Sequence, residues 1–123
     1  MSDKPVAERL QVKRERRLAV VAAPEGLESV IGVPDARAAV EDAEVVLLFV
    51  RNRADFETAL PALLARIAPH AILWLAYPKL TSPHAGDLSR DILHAVAPAH
   101  GLDTVSQIAI DQDWSALRLK RGG

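Results

Sequence analysis

Short, uniformly apolar runs alternate along the chain with stretches where apolar residues recur every three or four positions. Leu18–Ala22, Glu44–Val50 and Ala71–Tyr77 are runs of the first kind and read as strands, the first buried on both faces and the second the strongest in the chain. The second kind predicts helices. A short one covers Val6–Val12, with Leu10 as its contact to the body, and another covers Glu25–Ile31 and stops at Gly32. Pro24 and Glu25 open that second helix, because proline suits the first helical position and a carboxylate suits the positive N-terminal end. Asn52 caps a third, whose Phe56, Leu60, Leu63, Leu64 and Ile67 keep helical spacing, and Pro61 inside it removes one backbone hydrogen bond and should kink or reset it. Leu88, Ile92, Ala95 and Val96 give a fourth its buried stripe, which Pro98 and Gly101 end. A weak strand is expected at Arg37–Val40. Thr104–Ile110 and Ser115–Leu119, separated by Asp111-Gln-Asp113, pair naturally as a hairpin. The order β-α-β-β-α-β-α-β-β predicts an α/β fold: a mostly parallel, doubly wound Rossmann-like sheet of about six strands with a C-terminal antiparallel hairpin.

Length and composition narrow the class without naming a reaction. The 123 residues fit one domain with a real core. No apolar run approaches the roughly 18 residues of a membrane span, and the start Met-Ser-Asp-Lys-Pro-Val has no apolar h-region, so a cytoplasmic protein is expected. The absence of cysteine removes disulfides, thiolate catalysis and the common zinc sites. Net charge is −1, but it is uneven: residues 1–17 hold six Lys/Arg against three Asp/Glu, residues 118–123 hold three against none, and residues 18–117 hold six against thirteen. Such basic ends can touch nucleic acid, yet no aromatic residues are interleaved for base stacking, so nucleic-acid binding is not expected.

Chemistry-bearing residues gather at Trp74-Leu-Ala-Tyr-Pro-Lys79 and in the segment after it. This segment joins a strand end to a loop and then to a helix start near Asp87, which in open α/β sheets is where ligands bind. Tyr77 offers a hydroxyl donor, Lys79 a point charge, and Ser82 and Asp87 can cap the helix. Asp87, Arg90, Asp91 and His94 follow at i, i+3, i+4 and i+7 as one polar stripe. A solvated helix face looks the same, so the pattern admits either a plain surface or an anion site built from Tyr77, Lys79, Ser82 and Arg90. Trp114, Ala116 and Arg118 share one strand face, from which Arg118 could add a second charge, and Arg51-Asn-Arg53 lies at another strand end.

Other chemistries are disfavoured. The first loop, Ala22-Ala-Pro-Glu-Gly26, has one glycine, a proline that donates nothing and a carboxylate that repels a pyrophosphate, so a dinucleotide is not expected. S-adenosylmethionine, being cationic, would tolerate Glu25, with Glu41 reaching for a ribose. The fifteen residues from Gly26 to Glu41 fall short of the roughly twenty usual there, so the cofactor is left unassigned. His70, His84, His94 and His100 lack metal-ligand spacing, and the acids Asp111 and Asp113 suit a turn as well as a cation. No catalytic group is recognised.

Val21-Ala-Ala-Pro-Glu-Gly26, Val46-Leu-Leu-Phe-Val50, Trp74-Leu-Ala-Tyr-Pro-Lys79, Asp87-Leu-Ser-Arg-Asp91 and Asp113-Trp-Ser-Ala-Leu-Arg118 together resemble a family of small bacterial proteins of unknown function. The resemblance runs over nearly the whole chain and implies no activity. In element order the chain is also similar to a shortened class I methyltransferase domain, a likeness of architecture alone. The reading that follows is a non-catalytic module binding a small anionic ligand or a protein partner at the Tyr77–Lys79 end. A minimal S-adenosylmethionine-dependent methyltransferase-like enzyme and a nucleic-acid accessory protein are the alternatives. A homodimer is expected through the strand near Arg37 or the terminal hairpin, since a small sheet has two edges to cover.

Overall fold

The three apolar runs become three parallel strands, β1 (Leu18–Val21), β2 (Val45–Phe49) and β3 (Ile72–Pro78), in a computed structural model that describes residues 5–13 and 15–121. Residues 1–4, 14 and 122–123, parts of the two basic ends, lie outside the described residues. The terminal hairpin supplies β4 (Leu102–Ala109) and β5 (Trp114–Arg121), and the five strands run in the order β1-β2-β3-β5-β4. β5 lies between β3 and β4 and is antiparallel to both. A tight turn can return a strand only antiparallel, because a parallel return needs a crossover of a dozen or more residues. The sheet is therefore mixed, with two parallel and two antiparallel pairings, where a mostly parallel sheet was expected.

It also has five strands, not six. The segment expected as a strand at Arg37–Val40 makes one isolated parallel bridge, Leu18 with Arg37, between two single 3₁₀ turns at Pro34–Ala36 and Val40–Asp42. The turns leave no length for a ladder. Arg37 is held by its side chain instead, donating to the Glu28 carboxylate at 3.1 Å and the Gly32 carbonyl at 2.9 Å.

Period-2 alternation divides the sheet between two apolar layers. Leu73, Leu75 and Tyr77 of β3 face α3 (Arg53–Leu64) and α4 (Arg90–Val96), joining Phe56, Leu60, Leu63 and Leu93. Trp74 and Ala76 face the other way, toward Leu10 and toward Leu27 and Ile31 of α2 (Leu27–Ile31). Helices thus cover both faces, as expected. The first helix shortens to α1 (Val6–Arg9), and the fully buried Leu10 after it is fastened by the Trp74 indole, which donates to its carbonyl at 2.9 Å.

The path from β1 to β2 decides where a crevice opens. It crosses one face as α2, passes outside β1 at the Arg37 bridge, and reaches the other face at Val40 and Ala43. The path from β2 to β3 stays on that second face as α3. The connections diverge between β1 and β2, and such a reversal leaves an opening above the carboxyl ends of the strands.

Candidate functional site

At its carboxyl end β3 sends successive side chains to opposite sides. Tyr77 points into the α3/α4 layer and is only 3 % exposed, while Pro78 pairs with Trp114 across β5. Tyr77 stands in one row with Ser115 of β5 and, beyond it, Ala109 of β4. Beside that row lies an open groove of about 570 Å³. Tyr77, Lys79, Arg90, Ser89, Gln107 and Ser115 contribute its polar lining, and Leu80 and Ile108 add apolar wall.

The groove is electropositive. Among the described residues neither Lys79 nor Arg90 has an ion-pair partner within 4.0 Å, and the groove's lining holds no carboxylate. Burial pushes the Tyr77 phenol above its ordinary range, the nearby Arg90 charge opposes that rise, and Asp91 adds to it. The hydroxyl therefore stays protonated at neutral pH and can donate. Two free cations beside a hydroxyl donor can hold a carboxylate, phosphate or similar anion.

Three expected site residues do other work. α4 begins at Arg90, not near Asp87, and its cap is Ser89, whose hydroxyl accepts from the Ile92 amide at 3.2 Å. Ser89 sits one residue before the helix with extended dihedrals, the geometry a cap needs. Asp87 turns instead to a different helix, its carboxylate accepting from the Arg53 amide at 2.6 Å at the start of α3. That helix start is filled by the chain's own acceptors: Asn52 takes the Asp55 amide at 2.8 Å, as expected of it, and Asp55 takes the Arg51 amide at 2.9 Å. Ser82 is buried and shapes its own turn, accepting from the His84 amide at 3.0 Å.

Arg118 is not brought to the groove. It pairs in register with Trp74, on the opposite sheet face from Tyr77, and lines a separate cavity with His70, Lys120 and Arg121 at the amino ends of the parallel strands. The sharing of a face by Trp114, Ala116 and Arg118 holds, but that face does not lie over the groove. Of the six residues expected at a site, the structure gathers Tyr77, Lys79 and Arg90.

Sequence reasoning missed Gln107, Ile108 and Ser115. Nothing in the sequence put β5 beside β3.

The crevice at the reversal point is distinct from the groove. Its two adjoining hollows, of about 550 Å³ each, share Arg51 and Trp114. Glu25, Asp111, Asp113 and His84 line one, and Ala22, Asn52, Asp55 and Thr58 the other. Asp111 is a turn residue, accepting from the Asp113 and Trp114 amides at 2.8 Å each. Glu41 stands at the far end of the sheet, paired with Arg66 at 3.0 Å, which places it away from any ribose held beside Glu25. Among the described residues no three His, Cys, Asp or Glu side chains cluster as metal ligands, and no helix is long and apolar enough to cross a membrane.

No family model and no curated protein matches the sequence. A solved structure does match the fold: a ribosomal protein L11 methylase from Lactobacillus delbrueckii subsp. bulgaricus, at 12 % identity and a TM-score of 0.57, over 95 % of this chain and 75 % of that one. The fold is methyltransferase-like. At this identity the likeness concerns architecture, as the order of elements implied.

Proposed function

We propose that the chain is a non-catalytic α/β module that binds a small anionic ligand in the groove of Tyr77, Lys79 and Arg90. One observation carries the reading: two uncommitted cations and a protonated phenol converge on one open concavity, and no carboxylate shares its lining. Among the described residues no metal cluster stands beside them, and His94, one turn beyond Arg90, is engaged with the Thr104 hydroxyl at 2.6 Å. Lys79 is aimed by its backbone, since its amide donates to the Asp113 carbonyl at 2.8 Å and the preceding Pro78 has a fixed φ.

A second reading takes support from the fold likeness and from the acidic side of the crevice. Glu25, Asp111 and Asp113 suit a cationic ligand such as S-adenosylmethionine better than an anion. A thermal-shift panel of inorganic phosphate, pyrophosphate, citrate and S-adenosylmethionine separates the two. The groove reading expects stabilisation by pyrophosphate or citrate, since a ligand at ten times its Kd adds about 1.4 kcal/mol, and loss of that gain in Lys79→Ala and Arg90→Ala. Stabilisation by S-adenosylmethionine alone would favour the second reading, and no shift with any anion would end the first.

A further inference from the structure

The two basic ends of the chain, a hundred residues apart in sequence, meet on one rim of the sheet. Leu18 lies beside Val45 and Val45 beside Ile72, while the pairing of Leu73 with Leu119 sets Lys120 next to the start of β3. Three strand spacings separate the start of β1 from the end of β5, roughly 14 Å. Arg16 and Arg17 therefore stand across the rim from Lys120 and Arg121, and all four are exposed. Lys13 adds to the first cluster, and the half-buried Arg118 to the second. At the second cluster the chain forms a cavity of about 240 Å³ whose charged and titratable lining is basic throughout: His70, Arg118, Lys120 and Arg121.

Nearby acids leave these charges largely open. Glu15, Asp42, Glu44 and Asp103 are carboxylates of the rim, Glu41 is paired there with Arg66 at 3.0 Å, and Glu44 receives the Arg17 backbone amide, not its guanidinium. Asp103 faces Lys120 in register. Among the described residues none of the six cations has an ion-pair partner within 4.0 Å. The opposite end of the sheet carries Glu25, Asp87, Asp111 and Asp113 beside Arg51, Lys79 and Arg90, so its charge is mixed. A net charge of −1 does not cancel the rim's attraction, because screening cuts fields off within about 8–10 Å.

We infer that this rim binds the phosphate backbone of a nucleic acid without reading its sequence. Two cationic clusters about 14 Å apart match a line of phosphates better than one small anion. The rim presents no aromatic platform for base stacking, which leaves the backbone as the contact. Among the described residues the exposed large apolar side chains are Val30, Leu80 and Val105, and none belongs to the two cationic clusters, which offer nothing to insert into a lipid surface. Taken along the sequence, each end alone is too small a patch. The fold adds them.

Anisotropy of a labelled single strand of about 20 nucleotides, titrated with the full chain from about 25 to 200 mM NaCl, tests this. The log–log salt slope is expected near −3, at about 0.7 per neutralised phosphate. Arg16→Glu with Arg17→Glu, and separately Lys120→Glu with Arg121→Glu, should each weaken binding about tenfold or more and flatten the slope by roughly 1.4. Both variants should melt like the parent. Absence of salt-dependent binding at 25 mM, dependence on only one of the two pairs, or binding to anionic vesicles in place of the oligonucleotide overturns the inference.

Discussion

Tyr77 is the only tyrosine in the chain, so its ionisation can be followed by ultraviolet absorbance without assignment. Its phenol is raised above 10.0 chiefly by burial. In the unfolded chain the group ionises at its ordinary value, so the folded state gains stability that is complete below about pH 10 and is lost as pH climbs through the raised value. A native midpoint above 10, with unfolding free energy falling from about pH 10 upward, is the expected outcome. A midpoint at or below 10 would mean that the hydroxyl is solvated or that a donor or cation such as Arg90 stabilises its phenolate. Lys79 and Arg90 differ in kind: partly or fully exposed and unpaired, they should tolerate alanine with a stability change within about 0.5 kcal/mol.

The loop between β3 and α4 is fastened to the start of α3, and this fixes the groove's wall. A Cβ on Gly86 would meet the Arg51 carbonyl at 3.0 Å, and Asp87 bonds the Arg53 amide. Gly86→Ala should cost roughly 1–3 kcal/mol through overpacking, and Ser89→Ala about 1 kcal/mol through loss of the α4 cap, both read from urea midpoints. A neutral Gly86→Ala would show the loop to be loosely held. These contacts also mark how far the sequence could be read. The three apolar runs, the Asn52 cap and the stripe of Phe56, Leu60 and Leu63 were legible because period and cap chemistry are local. Pro61 was expected to kink or reset that helix, and α3 runs on through it to end one turn later at Leu64. Asp87 was read as a cap for its own helix because it precedes one. Its true partner is thirty-four residues away, a pairing that only the docked loop reveals. Arg118 failed as a site residue for the same reason, since its place depended on β5 lying beside β3.

At the scale of the molecule, chain path sorts charge and surface into regions with different prospects: a basic rim, an acidic crevice and an electropositive groove. The same path bears on self-association. The outer edge of β1 is partly covered at the Arg37 bridge, whereas β4 ends the sheet with most of its residues exposed, Val105 among them at 50 %, and with an irregular register between Thr104 and Gln107. We propose that a homodimer, if formed, uses β4. Sedimentation at tens of micromolar, a rough range for weak association, should then show a dimer that Val105→Lys converts to monomer, and a monomeric parent would dismiss it. The groove remains the central claim, and amide chemical shifts mapped over the whole chain during a pyrophosphate titration test it most directly. Saturable shifts should concentrate at Tyr77, Lys79, Arg90, Gln107 and Ser115 and vanish in Lys79→Ala. Shifts confined to the amino-end rim or the crevice, or none at millimolar pyrophosphate, would contradict it.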